Sequence, residues 1–186
     1  NAGTKEGLVG RQLEGKIVGI VGLGAIGKKV ARLCGAFGCK VLAFDSIARE
    51  ENKELAEYVS LEELLERSDL ITLHCPLIPE TVNLMNKERI AQVKEGAILI
   101  NCARGPVVDY TALAGALRSG KVGGAGIDVF EEEPPLAADH IMLHTPNTIV
   151  TPHIAFASKE SMVLRAEIVF DSLDKWMDGS QVNVIL

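Results

Sequence analysis

Short apolar runs alternate along the chain with stretches in which apolar residues recur at helical spacing. The runs are rich in valine, isoleucine and leucine, which is typical of strands buried on both faces of a parallel sheet. They predict strands at residues 16–21, 40–44, 70–74, 97–101, 122–129 and 148–151. Helices are predicted between them, at residues 26–37, 61–67, 87–93 and 110–119. The alternation predicts an α/β fold in which helices cover both faces of a doubly wound parallel sheet.

Two further segments complete the pattern. Residues 158–177 predict a long amphipathic helix, with Ser158 as its N-cap and Gly179 ending it. Its apolar face carries Met162, Ala166, Val169, Leu173 and Trp176. Residues 130–147 are irregular and contain prolines, and a loop of that length in a compact domain is usually functional.

A glycine-rich turn follows the first predicted strand. Gly22, Gly24 and Gly27 form the pattern G-x-G-x-x-G between that strand and the first helix. The first glycine permits a tight turn, the second lets backbone approach a pyrophosphate, and the third allows the helix to pack closely on the strand. The N–H groups at the helix start, notably those of Ala25 and Ile26, would bind the diphosphate. We therefore predict a Rossmann-type dinucleotide-binding domain.

An acidic residue follows the second predicted strand. Asp45 lies 18 positions after Gly27 (45 − 27). An acid at that place accepts hydrogen bonds from the adenosine ribose and repels a 2′-phosphate, which favours NAD over NADP as the cofactor. Two alternatives stay open. Asp45 could merely cap the turn that follows it, and Arg49 could bind a 2′-phosphate, although a solvated surface arginine is the simpler interpretation.

Composition narrows the class of protein. With 186 residues, 47% of them hydrophobic and 24% charged, the chain matches one ordinary globular domain, predicted to span residues 1–186. A net charge of −6 argues against a nucleic-acid partner. No apolar run reaches the roughly 20 residues that span a bilayer. The first residues lack a secretory signal, so we expect no membrane association and a cytoplasmic location. The four cysteines lack the paired spacing of zinc or thiol-exchange sites, which favours reduced thiols.

Three stretches carry a close resemblance to a known family. They are V-G-I-V-G-L-G-A-I-G followed by L-A-F-D, then L-L-E-R-S-D-L-I-T-L-H-C-P-L-I-P-E-T, and K-E-G-A-I-L-I-N-C-A-R-G-P-V-V-D. Together with D-V-F-E-E-E-P and T-P-H-I, they cover residues 16 to about 158. The chain resembles the nucleotide-binding domain of the D-isomer-specific 2-hydroxyacid dehydrogenases. That family includes phosphoglycerate, glycerate, D-lactate and formate dehydrogenases.

The resemblance implies which residues contact NAD. Ala25 and Ile26 would bind the pyrophosphate and Asp45 the ribose. The adenine side would be bordered by Cys75, Pro76 and Thr81. The nicotinamide side would be bordered by Cys102, Ala103 and Asp128. The carboxylate on that side would accept a hydrogen bond from the carboxamide. The predicted cofactor-binding set is completed by Gly22, Gly24, Gly27, Arg104, His153 and Ala155.

Reduction of a 2-oxo acid needs a hydride at C2, a proton for the oxygen and a cation for the carboxylate. His153 is the natural proton donor, because imidazole titrates near neutral pH. Glu133 would stabilise the imidazolium, and Arg104 offers a planar fork for bidentate binding of the carboxylate. We predict these three as the catalytic residues. The family places its acid immediately before proline, which selects Glu133 over Glu131 and Glu132.

Each catalytic assignment has a structural alternative. His153 could be an ordinary loop histidine, Arg104 a loop arginine, and Glu133 one member of a solvated acidic run. A metal site is a further alternative, because His140 and His144 are four positions apart in the chain. The nearby proline and the lack of helical periodicity favour a loop there, and hydride transfer needs no metal, so we predict no metal ligand.

Two features bear on the branch of the family. Formate dehydrogenases carry glutamine where this chain has Glu133, which disfavours that branch. After His153 many members read H-I-G-G-S-T, whereas this chain reads H-I-A-F-A-S. Ala155 followed by Phe156 favours the glycerate type over the phosphoglycerate type. The expected substrate is a small D-2-hydroxy or 2-oxo acid, such as glycerate, hydroxypyruvate or 3-phosphoglycerate.

The family normally has a second domain that binds the substrate, and we expect that domain to be absent from this chain. We therefore expect the chain alone to bind NAD but to turn over substrate poorly or not at all, since half of the cleft is missing. Members usually dimerise through the nucleotide-binding domain, which leaves a homodimer open. The alternative function is an NAD-sensing interaction module without physiological turnover, as in the corepressor relatives of the family.

Overall fold

The computed structural model describes residues 10–132 and 135–184. The strands within these residues are β1 (Ile17–Val21), β2 (Lys40–Phe44), β3 (Glu57–Tyr58), β4 (Leu70–Leu73), β5 (Ala97–Asn101), β6 (Val122–Ile127) and β7 (Thr148–Val150). They form one parallel sheet in the order β3-β2-β1-β4-β5-β6-β7. The six predicted strands are present, four of them shortened by one or two residues. The prediction of a doubly wound parallel sheet is confirmed.

The α-helices of the described residues are α1 (Ala25–Ala36), α2 (Leu61–Arg67), α3 (Lys87–Gln92), α4 (Tyr110–Ser119) and α5 (Lys159–Met177). Polar side chains cap the starts of α2 and α4. Ser60 accepts a hydrogen bond from the Glu63 N–H at 3.1 Å, and Asp109 accepts one from the Ala112 N–H at 2.9 Å. Gly120, with a φ of 80°, ends α4. These local signals explain why both helices begin, and why α4 ends, at the predicted residues.

Some short elements were not predicted. Four 3₁₀ turns occur within the described ranges, at Glu50–Asn52, Pro79–Thr81, Gly105–Val107 and Ile141–His144. The last of them lies inside the segment predicted to be irregular, residues 130–147, so a helical turn interrupts that loop. Strand β3 was also missed, because its two residues are too few to show any alternation of apolar and polar positions.

The strand order reverses beside β1, with β2 and β3 on one side and β4 to β7 on the other. Val21, the last residue of β1, is in register with Phe44 on one neighbour and Leu73 on the other. The carboxyl ends of β1, β2 and β4 therefore meet at one edge of the sheet. Ligands of open parallel sheets bind at such a reversal, outside the carboxyl ends of the strands.

Two apolar clusters pack against the sheet. The larger lies between the sheet and α2, α3 and α4, and it includes the completely buried Leu64, Leu65, Leu73 and Leu113. The smaller packs α1 over β1 and β2, and it includes Val18, Ile20, Ala31 and Ala43. On that second face, Ile98 of β5 and Ile149 of β7 are 40% and 75% exposed. The cover on this face is therefore concentrated over β1 and β2.

The chain divides into two compact units, Asn1–Pro152 and His153–Leu186. The sheet and α1 to α4 belong to the first. The second contains α5, whose predicted N-cap Ser158 accepts a hydrogen bond from the Ser161 N–H at 3.0 Å. All residues of α5 are described and none is buried, so its predicted apolar face is exposed. In the described part of the chain, no helix combines the length and apolar character needed to cross a membrane.

Candidate functional site

The glycine turn lies between β1 and α1, at the edge where the strand order reverses. Gly22 has a φ of 94°, and a Cβ on it would lie 2.7 Å from the Cys75 nitrogen. A Cβ on Gly27 would lie 2.1 Å from the carbonyl oxygen of Gly22. Around Gly24, by contrast, such a Cβ would meet no described atom within 4 Å. The fold itself therefore requires Gly22 and Gly27, whereas the space beside Gly24 is open to a ligand.

The start of α1 adjoins this open space. The helix begins at Ala25, and none of the described side chains caps it at Gly24. Ile26, the next residue, is 64% exposed. The first N–H groups of a helix have no partner within the helix, so they are available to bind an anion. This arrangement fits the diphosphate contact predicted for Ala25 and Ile26.

Asp45 lies directly after β2 and contacts the glycine turn. Its Oδ2 accepts a hydrogen bond from the Leu23 N–H at 2.7 Å, and its Oδ1 accepts one from the Ile47 N–H at 3.2 Å. The bond from Ile47 is the turn cap that the sequence left open as an alternative. The bond from Leu23 places the carboxylate beside the turn, where a ribose-binding acid would stand. Asp45 thus caps its own turn and also occupies the position predicted for ribose binding.

A cavity of about 600 Å³ adjoins Asp45. This volume lies within the usual range for small-molecule sites. The predicted cofactor residues in its lining are Gly22, Asp45, Cys75, Pro76 and Thr81. Thr81 Oγ1 donates to the Pro76 carbonyl oxygen at 2.6 Å and accepts from the Ile78 N–H at 2.9 Å, which holds the loop after β4 in shape. The structure therefore brings the residues predicted for the adenosine side together around one cavity.

Other residues that line the cavity were not predicted from the sequence. They are Val21, Phe44, Ser46, Ser60, Leu61, Glu62, Ile78, Glu80, Leu84 and Arg89. Several come from α2 and α3 or the segments before them, which are far from the glycine turn in sequence. Their position in the sequence could have indicated some of them, because residues 44–46 and 76–81 lie at or after the carboxyl ends of β2 and β4. No motif marks the helix residues.

A second group of predicted residues lies at the carboxyl ends of β5 and β6. Asp128 is buried, and its Oδ1 accepts a hydrogen bond from Thr151 Oγ1 at 2.5 Å. Desolvation of the sulfur, and to a lesser extent the nearby Asp128 charge, raise the pKa of the Cys102 thiol. Ala103 is buried, and its N–H donates to Asn101 Oδ1 at 3.0 Å. The residues predicted for the nicotinamide side therefore occupy neighbouring strand ends.

Arg104 is an exposed residue between the buried Ala103 and Gly105, just after β5. Its Nη1 donates a hydrogen bond to the carbonyl oxygen of Ala103 at 2.7 Å. The next residue, Gly105, is buried, and a Cβ there would lie 1.8 Å from the carbonyl oxygen of Phe130. The loop that carries Arg104 is thus packed closely against the segment that follows β6. Arg104 therefore follows the carboxyl end of β5, and its role in binding a carboxylate stays a prediction.

The structure does not test the roles of the other two predicted catalytic residues. Glu133 lies outside the described residues. His153 and Ala155 belong to the second compact unit. His153 has a φ of 56°, a left-handed conformation that is uncommon outside glycine, and its ring meets that of Phe156 edge-on at 5.6 Å between centroids. Residues held in sparsely populated conformations are frequent at functional sites. The catalytic roles of Glu133 and His153 stay predictions.

The histidines of the candidate metal site have partners within the protein. His140 Nε2 lies 3.2 Å from Glu131 Oε2, and His144 Nε2 lies 2.6 Å from the Ala138 carbonyl oxygen. His140 is the N-cap of the 3₁₀ turn Ile141–His144 and His144 is its last residue, so the two do not share the face of an α-helix. Over residues 10–132 and 135–184, no group of three or more histidine, cysteine or acidic side chains could hold a metal ion.

Comparison with known proteins gives a consistent result. Residues 2–155 match the family described as "D-isomer specific 2-hydroxyacid dehydrogenase, NAD binding domain". A hydroxypyruvate reductase from Blautia hydrogenotrophica is 45% identical over 175 residues, covering 94% of this chain and 54% of the relative. A D-3-phosphoglycerate dehydrogenase from Bacillus subtilis is 44% identical over 176 residues, which cover 94% of this chain and 33% of that relative.

Solved structures agree with these sequence matches. The D-lactate dehydrogenase from Aquifex aeolicus complexed with NAD and lactic acid is 37% identical, with a TM-score of 0.88 over 97% of this chain and 59% of that one. The chain spans about half the length of the first curated relatives that it matches.

Proposed function

Since this chain belongs to the D-isomer specific 2-hydroxyacid dehydrogenases, as their NAD-binding domain, we propose that it supplies the cofactor-binding half of an enzyme. That enzyme transfers a hydride between NAD(H) and a small D-2-hydroxy acid or 2-oxo acid. The other half would be the separate substrate-binding domain that the family uses.

One arrangement carries the proposal. The space beside Gly24 is open, the uncapped start of α1 adjoins it, and Asp45 joins it to a cavity of about 600 Å³. An anion-binding helix start next to an acid and a cavity matches a dinucleotide with its pyrophosphate, ribose and adenine. The four cysteines of the chain are free, which supports a reducing, cytoplasmic location.

The proposed chemistry divides between the cofactor and three side chains. Bound NADH supplies the hydride. Arg104 binds the substrate carboxylate, and His153 donates a proton to the oxygen that becomes the hydroxyl. Glu133 stabilises the imidazolium before the proton leaves it. In the oxidative direction, neutral His153 accepts the hydroxyl proton, so one histidine serves both directions.

Several observations support the substrate class. The two curated relatives named above are a hydroxypyruvate reductase and a D-3-phosphoglycerate dehydrogenase, and both names refer to small three-carbon acids. Ala155 followed by Phe156 favours the glycerate and hydroxypyruvate type. An NAD-sensing module without turnover is the alternative, but the relatives reported carry the names of oxidoreductases. A homodimer formed through this domain remains part of the proposal.

Cofactor choice gives a direct test. We expect this chain to bind NADH about tenfold or more tightly than NADPH, and Asp45→Asn to remove most of that preference. Asparagine retains an oxygen that can accept from the Leu23 or Ile47 N–H group, but it lacks the charge that repels a 2′-phosphate. Fluorescence titration with each dinucleotide measures both affinities.

Glu54→Gln is the matched control, because Glu54 is exposed and does not line the cavity. It removes one negative charge from the same chain and should leave the ratio of the two affinities unchanged. Equal binding of NADH and NADPH by the unaltered chain would contradict the role of Asp45. Failure to bind either dinucleotide would contradict the proposed function.

A further inference from the structure

A buried polar network lies behind the ends of β5 and β6. Asn101 and Tyr110 are 0% and 1% exposed. The Tyr110 hydroxyl donates to the Val129 carbonyl oxygen at 2.6 Å and lies 3.0 Å from Asn101 Nδ2, which donates to it. Asn101 Nδ2 also donates to the Arg104 carbonyl oxygen at 3.0 Å. Buried polar groups are normally satisfied, and this network satisfies its groups by joining the end of β5, the start of α4 and the segment after β6.

The segments joined by this network carry the residues predicted for nicotinamide and substrate. Asn101 is the last residue of β5, and its Oδ1 accepts from the Ala103 N–H at 3.0 Å. Val129 directly follows Asp128, at the end of β6. One tyrosine hydroxyl, borne by the first residue of α4, therefore links the β5 end to the β6 end.

Packing reinforces the link. The Tyr110 ring contacts that of Phe130, with centroids 6.0 Å apart. The carbonyl oxygen of Phe130 is the atom that leaves no room for a side chain at Gly105. Burial raises the pKa of Tyr110 far above its usual value, so the hydroxyl keeps its proton and remains a hydrogen-bond donor across the neutral range.

We propose that Tyr110, together with Asn101, is a positioning residue that holds the β5 and β6 ends in register for the nicotinamide end of the cofactor. This proposal rests on the proposed function, since it assumes that NAD binds along this edge. It predicts that the hydroxyl affects the nicotinamide half of the ligand and leaves the adenosine half alone, because the adenosine cavity is lined by other segments.

The test compares NADH with ADP-ribose, which has the same adenosine and pyrophosphate but no nicotinamide. Tyr110→Phe removes one hydroxyl and keeps the ring. In this chain it should weaken NADH binding about tenfold while changing ADP-ribose binding less than about twofold. Isothermal titration calorimetry measures both ligands under the same conditions.

The other tyrosine provides the matched control. Tyr58 lies on β3, and its hydroxyl accepts a hydrogen bond from Asn52 Nδ2 at 3.2 Å. Tyr58→Phe also removes a hydroxyl from a hydrogen bond, and it should leave the ratio of NADH to ADP-ribose affinity unchanged. Asn101→Ser removes the side-chain amide that donates to the Tyr110 hydroxyl, and it should cause the same selective loss of NADH affinity. This second variant keeps the proposal testable if Tyr110→Phe does not fold.

The possible outcomes separate the two proposals. A selective loss of NADH affinity in Tyr110→Phe or Asn101→Ser supports the positioning role. Equal losses for both ligands would show a merely structural hydroxyl and overturn it, as would unchanged affinities. If the unaltered chain binds NADH no more tightly than ADP-ribose, the positioning role is overturned while the proposed function stands. If it binds neither ligand, the proposed function fails and the positioning role with it.

Discussion

Gly27→Ala is expected to abolish detectable NADH binding and to lower the free energy of unfolding by about 3 kcal/mol, at the upper end of the usual cost of overpacking. The added Cβ would lie 2.1 Å from the Gly22 carbonyl oxygen. That oxygen is a backbone atom, so the contact is not relieved by a side-chain rotation, and α1 must move away from β1. Urea denaturation measures the stability, and NADH fluorescence measures the binding.

Gly24→Ala distinguishes an effect on ligand binding from an effect on stability at the same turn. Its Cβ would meet no described atom within 4 Å, and its φ of −76° suits any residue. The variant should lose no more than about 1 kcal/mol of stability, because alanine is a poorer N-cap than glycine, yet it should lose NADH affinity where the pyrophosphate approaches. Normal NADH binding by Gly24→Ala would contradict the diphosphate assignment. Unchanged stability of Gly27→Ala would contradict the packing account.

His153→Gln is expected to lower the turnover of 2-oxo acid reduction on the order of 10³-fold, within the usual range for loss of a general acid. Glutamine keeps polar contacts but cannot donate a proton in the transition state. Because turnover needs a substrate-binding domain, the measurement uses a chimera in which this chain replaces the matching region of the Blautia hydroxypyruvate reductase. NADH oxidation is then followed by absorbance.

His144→Gln is the matched control for that experiment. His144 contacts the Ala138 carbonyl oxygen and has no assigned role in the chemistry. It should retain turnover within about threefold, as is usual for substitutions outside a site. A His153→Gln chimera that turns over as fast as the His144→Gln chimera would show that another group donates the proton.

Local signals explain what could be predicted from the sequence. Helices α2 and α4 were predicted to the residue because their caps, Ser60, Asp109 and Gly120, act within one turn of the chain. The glycine turn could be predicted because Gly22 and Gly27 each meet a separate backbone constraint and Gly24 leaves space for a ligand. The position of Asp45 beside that turn could be predicted because its distance from the turn is set by one helix and one strand.

What could not be predicted depends on contacts between distant segments. Glu62 and Arg89 line the cavity beside Asp45, but they are brought to it by the packing of α2 and α3 on the sheet. The link from Tyr110 to Val129 spans 19 positions and joins a helix start to a strand exit. No sequence motif indicates either feature, because these residue types are common and only the fold brings them to these positions. The exposed face of α5 likewise contradicts no local rule, since amphipathic spacing predicts a face to be covered and does not name what covers it.

The pairing of strands also sets the order in which this chain can fold. Every strand pair of the described sheet is parallel, so none can form as a hairpin, and each must wait for a crossover. Val18 of β1 pairs with Leu70 of β4, 52 positions later (70 − 18). During synthesis, β1 can therefore pair with β2 while its other edge stays bare until β4 has emerged. Pairing between strands so far apart in the sequence slows folding. Until β4 pairs with it, the free edge of β1 is where another chain or a chaperone would bind the nascent protein.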